Sequence, residues 1–435
     1  MAVTDSPGAG RVLVALSDGP LVAEPTWSRY DTLEGCRCYG FDCWSGRQSE
    51  LDTTDTGNAT VRYHDRVGTL DTDDLVGAQI MLQLYNPVTG EWHPRWRGHI
   101  DDVQHVPNAD AESLWNVELK CVDIFDYLGG VRFLPGVMGD PGGRDDQVFY
   151  DNENVDDRIK ALADDAGMVA SMRVVFTGNI SVTETRYDPD DVVLQAMRDA
   201  ADAEFPGVAN LYVDRYGRLA FHGRFARFDP EGTEAGGANW DFVRWDAGTR
   251  SSVTTGVAQI REFAYNRPRA RIINSYLAWP KNDETDNQFD RTLIPTLLST
   301  DPTSIAAYGY RGREATDLII RENVNNSNTG ADECLLFGQF YTENYAQPRK
   351  AIQRVTFKAV RPSDSRAAAT WALMCGVDIS DAIDLTVAEA GLSDEPYFVD
   401  GIAVTCTVLN KAYDFVTVTP NLTPASYYGT DVFSP

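Results

Sequence analysis

Gly46-Arg47-Gln48-Ser49-Glu50-Leu51, then Thr56-Gly57-Asn58-Ala59-Thr60-Val61-Arg62-Tyr63-His64-Asp65-Arg66, then Gln79-Ile80-Met81-Leu82-Gln83-Leu84-Tyr85, is the stretch whose reading decides the fold. Residues 59–63 and 79–85 are rich in β-formers with partial period-2 alternation, which predicts two strands that each bury one face. Gly57-Asn58, and Gly68 with Asp71, Asp73 and Asp74, mark the turns. No nucleophile, acid pair or ligand cluster stands out in the block, so it reads as β-scaffold.

The same texture extends outward. Residues 1–10 read as a flexible arm and 12–16 as a strand. Trp115, Val117, Leu119 and Cys121 alternate with Asn116, Glu118 and Lys120, the cleanest period-2 signal in the chain. Asn86-Pro87-Val88-Thr89-Gly90 is a turn. Residues 11–130 are therefore expected to form an antiparallel barrel or sandwich. Residues 131–149, rich in Gly, Pro and Asp, read as a linker.

An α+β unit is expected over 150–228. Asp156 and Asp157 start a helix carrying Ile159, Leu162 and Ala166, and Asp188-Pro189 starts another carrying Val193, Ala196, Met197, Ala200 and Ala201. A hairpin over 211–221 turns at 214–217. Residues 229–300 read as irregular loops with one strand at 272–279. Residues 301–348 read as helical, opened by Asp301-Pro302, and 349–430 return to strands as a C-terminal β-domain with a short helix at 364–374. The fold class is mainly β, with a barrel or sandwich at each end of an α+β middle.

Composition bounds the function. Hydrophobic residues at 43% supply real cores, which excludes wholesale disorder. The 38 basic against 65 acidic residues give a net charge of −27, unsuited to gripping a nucleic-acid backbone. The acid surplus either keeps the protein soluble or, concentrated on an inward channel face, repels a passing polyanion. No run of 18 apolar residues predicts a membrane span, and the first residues lack the pattern of a signal peptide. Seven scattered cysteines fit a chain made in a reducing cytosol, with Cys121 and Cys406 expected as buried thiols.

Chemistry-bearing motifs are weak. Cys36-x-Cys38-x4-Cys43 lacks the paired knuckles of a zinc site. His93 and His99 flank Trp96 without a metal-binding motif. The acidic runs at 71–74, 145–146 and 151–157 do not follow calcium-loop order and read as solvated faces and caps. Gly139-Asp140-Pro141-Gly142-Gly143 is a linker and not a phosphate cradle, because Pro141 removes a donor. No cofactor, metal or catalytic set is expected.

Taken together, the motifs resemble those of the baseplate-hub (tail-tip, minor tail) proteins of long-tailed bacteriophages. The resemblance rests on Gly46, Arg47 and Glu50; on Gly57 through Asp65-Arg66; on Ser304-Ile305-Ala306-Ala307-Tyr308-Gly309-Tyr310-Arg311; on Asp378 and Asp381; and on Phe398-Val399-Asp400-Gly401-Ile402. It covers residues 11–430. The family's first-domain strand ends Leu-x-Asn where this chain has Tyr63-His64-Asp65, and the lysozyme or peptidase module of some hubs is not seen.

The resemblance implies a non-enzymatic virion protein at the tail tip, made in the bacterial cytoplasm and closing the distal end of the tail tube. Three copies would close a ring of six β-domains. The implied partners are the distal tail protein, the tape measure protein and other minor tail or fibre proteins, with DNA passing through unbound. Two other readings stand beside it: a carbohydrate-binding or glycan-cleaving β-sandwich, to which 9 Trp and 19 Tyr would offer stacking surfaces, and a distal-tail adaptor.

Overall fold

The computed structural model describes residues 9–428 apart from 17–18, 20, 67, 71–72, 108–114, 141–145, 229–242, 250–255, 267–268, 282–288, 327 and 408–415. Residues 1–8 of the expected arm (1–10), Asp71, Asp145 and the 141–143 part of the Gly-rich segment lie outside the described residues, while Gly10 already begins a strand.

Besides the two-residue strand Ser28–Arg29 on the outer side of the first, six strands form the N-terminal unit: β1 (Gly10–Ala15), β2 (Cys36–Gly46), β3 (Asp55–Asp65), β4 (Gln79–Asn86), β5 (Glu91–Pro107) and β6 (Trp115–Val122). They lie in the order β1-β4-β5-β6-β3-β2, every pair antiparallel. The period-2 pattern is obeyed: Val117, Leu119 and Cys121 are buried, while Asn116, Glu118 and Lys120 are half-buried on the other face. Trp115 is the exception, exposed at the start of its strand.

The middle follows, with helices α1 (Ile124–Gly130), α2 (Val155–Asp165), α3 (Val193–Glu204), α4 (Pro302–Tyr308) and α5 (Gly330–Tyr345), and a hairpin of β7 (Asn210–Val213) and β8 (Leu219–His222). The faces expected of α2 and α3 are buried: Ile159 and Leu162, then Val193, Ala196, Met197, Ala200 and Ala201. The start of α3 differs from expectation. Residues 188–191 form a turn, with the Asp188 amide donating to Asp191 Oδ2 at 2.8 Å. A bridge between Arg132 and Val192 holds residue 192 extended, so the helix begins only at Val193. The linker expected over 131–149 is partly core: Phe133 is buried, with its ring stacked 4.5 Å from Tyr187.

Six more strands and α6 (Ala367–Gly376) form the C-terminal unit: β9 (Arg244–Thr249), β10 (Ala258–Asn266), β11 (Ala351–Lys358), β12 (Ala382–Val387), β13 (Leu392–Cys406) and β14 (Val416–Pro424). Residues 229–300, expected as loops with one strand at 272–279, supply two strands of this barrel besides the short strand Ser275–Pro280. β9 and β10 carry little apolar alternation, and they are strands because β12 and β11 pair with them.

The order is β9-β12-β13-β14-β11-β10, and β9 pairs with β10 to close the barrel. Counted within each unit, both read first-fourth-fifth-sixth-third-second. Irregularities coincide as well. β2 bulges between Cys38 and Gly40 and β10 between Ile260 and Glu262; β5 bulges between Ile100 and Asp102 and β13 between Val399 and Gly401. A helical turn, Asp73–Leu75 or α6, sits between the third and fourth strands of each. The first strand differs: β1 runs antiparallel to β4, whereas β9 runs parallel to both its neighbours.

β2 also pairs antiparallel with β13, Phe41 opposite Cys406 through Gly46 opposite Gly401. This seam makes one continuous run of eight strands, β5-β6-β3-β2-β13-β14-β11-β10. One face packs into a core shared by both units, with Phe41, Val61, Leu119, Val355, Val404 and Val418 in one cluster. The other face carries directly opposed residues such as Asp102, Lys120, Thr60, Asp42, Thr405 and Thr417 in a row. Arg37, Arg62, Lys120, Arg354 and Lys358 stand on it against Asp42, Asp102, Glu118 and Glu262. Among the described residues the charges on this face nearly balance, with ion pairs Arg62–Asp42, Lys120–Glu118 and Lys358–Glu262.

The two faces should respond differently to truncation. Leu119→Ala, on the buried face, should cost roughly 2–5 kcal/mol, while Thr60→Ala on the opposite face should stay within about 0.5 kcal/mol. Denaturant midpoints with unchanged slopes test this, and equal losses would place the core on the wrong side of the sheet.

Candidate functional site

The motif residues gather where the seam meets the middle of the chain. At its end the two backbones touch through glycines. Gly46 has φ 97°, and a Cβ there would stand 2.6 Å from Gly401 Cα; a Cβ on Gly401 would stand 2.7 Å from the Trp44 ring. Only glycine allows both the left-handed turn and this approach.

The turn delivers Arg47 onto Asp400, the extra residue of the β13 bulge. Arg47 Nε and Nη2 donate to Asp400 Oδ1 at 3.2 and 3.1 Å, and the Arg47 amide donates to the Asp400 carbonyl at 2.9 Å. Arg227 Nη1 donates to the same Oδ1 at 3.4 Å and to Tyr428 Oη at 3.0 Å. Arg47 Nη1 reaches the Gly207 carbonyl at 3.1 Å, tying in the segment between α3 and the hairpin. Thr423 Oγ1 lies within hydrogen-bond distance of both Asp400 Oδ2 and Glu50 Oε2, and Arg271 pairs with Glu50 at 3.4 Å.

Asp400, Glu50 and Arg47 are all essentially buried. Burial is the largest influence on Arg47 and opposes its charge, but Asp400, Tyr428 and Glu50 together outweigh it and the pKa rises. Glu50 is raised, chiefly by burial, with Arg271 opposing.

A second knot joins the hairpin tip to both barrels. Asp378 Oδ2 accepts the Arg215 amide at 3.1 Å, and Tyr212 Oη donates to the Ile379 carbonyl at 3.2 Å. Asp381 accepts from Trp245 Nε1 at 3.0 Å and from the Asp378 amide at 2.9 Å, and burial pushes it up to about 7. From the N-terminal unit, Arg95 Nη1 donates to the Val377 carbonyl at 2.6 Å, and Arg97 Nη1 reaches the Tyr216 carbonyl at 3.5 Å.

The remaining motif positions stay local. The Gly57 amide donates to Asp123 Oδ2 at 2.7 Å, and Asp123, raised to about 7 by burial, also caps α1 through the Phe125 amide. Asp65 accepts the Gly68 and Leu70 amides, while Arg66 is exposed. Tyr308, Gly309 and Arg311 end α4, where buried Asn274 donates to the Gly309 carbonyl and accepts the Arg311 amide. Gly46, Arg47, Glu50 and Gly401 therefore meet; Asp378 and Asp381 form a neighbouring knot; the rest do not join them.

Asp400, Arg227, Thr423 and Asn274 were not singled out as key positions. Asp400 does stand inside the quoted Phe398–Ile402 segment; the others carry no local signal.

Cys36, Cys38 and Cys43 are buried core thiols, each pushed up to about 12 by burial. His93 lies 4.0 Å from Glu91 and His99 lies 3.5 Å from Asp126, so they do not converge. A cleft of about 340 Å³ opens beside the first knot, lined among others by Arg47, Asp199, Asp202, Tyr276 and Arg313. Burial raises Asp202 to about 6.

No family model matches the sequence, and no curated protein matches it. Solved structures do. The tail protein from Neisseria meningitidis MC58 superposes over 98% of this chain and 99% of its own, with TM-score 0.55 and 12% identity. The 43 kDa tail protein of prophage MuSo2 from Shewanella oneidensis matches over 96% and 99%, with TM-score 0.53 and 10% identity. The likeness is one of fold along the whole chain.

Breaking the first knot should be costly. Asp400→Ala leaves Arg47 and Arg227 buried without their carboxylate, an expected loss of roughly 3–5 kcal/mol. The pH response has a defined sign. Asp123 and Asp381 sit near 7 in the fold against about 3.9 unfolded, so the native state holds protons that the unfolded chain releases. Their contribution to stability should fall as pH rises from about 4 to about 7, then level off. Melting curves of wild type and Asp381→Asn across pH 5–8 test this, and identical slopes would refute it.

Proposed function

We propose that this chain is a structural protein of a phage tail, the baseplate hub at the tail tip, which closes the distal end of the tail tube and carries host-recognition components. The observation that carries the reading is the duplication: two six-strand units with the same strand order and matching bulges, the second closed as a barrel by β9 and β10, joined by the β2–β13 seam. A chain with two β-units of one strand order lets three copies present six similar units, so a trimeric hub meets a sixfold tube without symmetry mismatch. The whole-length likeness to two tail proteins supports this.

On this reading the exposed face of the eight-strand run lines the channel. Its near-balanced charges, mostly paired with one another, and its threonine row offer DNA few free cations, so DNA passes without being held. The middle of the chain lies outside the ring and supports contacts with the distal tail, tape measure and fibre proteins. The locked carboxylates of the two knots hold the barrels in register and perform no reaction.

Imaging of tails that carry this chain tests the reading. Label on the chain should appear at the distal tip; label along the shaft or at the head end would end the hub assignment. Zymography on peptidoglycan should show no lysis. Lysis abolished by Asp202→Asn, in the polar cleft beside the first knot, would instead favour a glycan-cleaving enzyme.

A further inference from the structure

The cleft beside the first knot has a wall that neither knot uses. Residues 313–319 line it without a break, most of the short strand Gly312–Leu318 and the residue after it. Successive side chains of a strand point to opposite faces, so a cleft that meets all of them meets the strand's edge. This strand pairs parallel with Ser275–Pro280, whose other side is taken by Leu298–Thr300, and no described strand covers its second side. The Ser275 amide donates to the Arg311 carbonyl at 3.3 Å, which sets the alternation. Arg313 and Ala315 turn their backbone groups toward the 275–280 strand, and Glu314 and Thr316 turn theirs the other way, into the cleft. Both residues are exposed.

The lining is acidic. Arg47 is bound to Asp400, and Asp317 is paired with Arg291 at 3.3 Å. Apart from these, four carboxylates, Asp52, Asp199, Asp202 and Glu314, face two guanidinium groups, Arg198 and Arg313. Those two reach backbone carbonyls of the opposite loop, Arg198 Nη2 that of Thr54 at 2.8 Å and Arg313 Nη1 that of Leu51 at 3.0 Å. Asp199 and Asp202 stand three apart on α3 and so share a face. Asp199 accepts from its helix neighbour Gln195 at 2.8 Å, and Asp202 makes no ion pair or hydrogen bond among the described residues.

A buried phenol completes the cleft. Tyr276 is 3% exposed and stacks on Tyr341 with centroids 4.5 Å apart. The Tyr341 hydroxyl donates to the Pro206 carbonyl, but the Tyr276 hydroxyl has no hydrogen-bond partner among the described residues. The charges of Asp202 and Arg313 both act on it, so it stands between the two walls. A buried tyrosine hydroxyl ordinarily finds a partner, and here the open position faces the cleft.

We propose that this cleft takes an extended segment of another protein, which adds as a strand to the edge at Glu314–Thr316 and sets a Lys or Arg against Asp199 and Asp202. The proposal rests on the reading that the middle of the chain bears contacts with other tail proteins, and it names one such contact. Main-chain hydrogen bonds to the edge hold the segment, and the acids of α3 select its side chains. The edge is guarded as well as free. Arg313 and Glu314 charge it, and Asp317, at φ 54°, ends it in a bulge, devices that keep strands from pairing at random. An occupant therefore needs matching charge and not β-propensity alone. The chain's own ends do not fit, since residues 1–8 and 429–435 contain no Lys or Arg.

Titration calorimetry of the full chain with the peptide acetyl-Thr-Val-Lys-Val-Lys-Val-Thr-amide tests the site. Binding should saturate, and the same peptide with Glu in place of Lys should bind on the order of 10-fold more weakly. Asp199→Asn with Asp202→Asn should erase that preference. Glu314→Pro removes an N–H that the native ladder does not use, on an edge strand where proline is tolerated. It should weaken the Lys peptide on the order of 10-fold while circular dichroism is unchanged. Glu314→Gln keeps the N–H and should stay within about threefold of wild type.

Equal binding of the two peptides by the wild-type chain overturns selection by the acids. Glu314→Pro binding as well as Glu314→Gln overturns strand addition, and no saturable binding of either peptide overturns the site itself. None of these outcomes touches the hub reading, which label at the tail tip judges separately.

Discussion

Asp400 is the residue on which the joined barrels depend. It is the bulged residue of β13, wholly buried, and a carboxylate in that position must be matched by cations or be driven neutral. Arg47, delivered by the left-handed turn at Gly46, supplies the match from the first barrel, and Arg227 supplies it from the middle of the chain. Three distant stretches of sequence thereby meet at one carboxylate. A buried ion pair of this kind is weak evidence for net stability, because desolvation offsets attraction. Its consequence is geometric: a slipped seam would leave Asp400 or Arg47 charged and unpaired, so one register of β2 against β13 is selected.

The seam also explains why the two barrels agree in strand order yet differ in their first strand. β9 closes the second barrel by pairing parallel with both neighbours. In the first barrel β1 runs the other way and is not paired with β2, so that barrel relies on its neighbour across the seam. The shared core confirms the dependence at the level of packing. Phe41, Val61 and Leu119 from one unit and Val355, Val404 and Val418 from the other lie in one buried cluster, with Tyr212 of the middle hairpin joining them. The hairpin is a wedge between the barrels as much as a part of the middle unit.

Charge follows the same logic of assembly over composition. The net charge of −27 invited the idea of an acid-lined channel, but the exposed sheet face pairs its charges locally. Much acid sits on the middle unit instead, for instance Asp157, Asp164, Asp190 and Asp191. Composition bounds a total and carries no address.

What the sequence determined by itself was local. Alternation in β6, the apolar faces of α2 and α3, the hairpin over β7 and β8 and the Asp301 cap of α4 were legible because each depends on neighbours within a few residues. The order β, α+β, β was legible for the same reason. Some features belonged to tertiary structure alone. β9 and β10 become strands because β12 and β11 lie beside them, and Val192 stays extended because Arg132 pairs with it. Arg47 and Asp400 are 353 positions apart, and no local pattern announces that they touch. The motif residues could be quoted from the sequence, but their convergence at Gly46, Arg47, Glu50 and Gly401 was decided by the seam, since hydrogen bonds between strands carry no trace in the spacing of either strand.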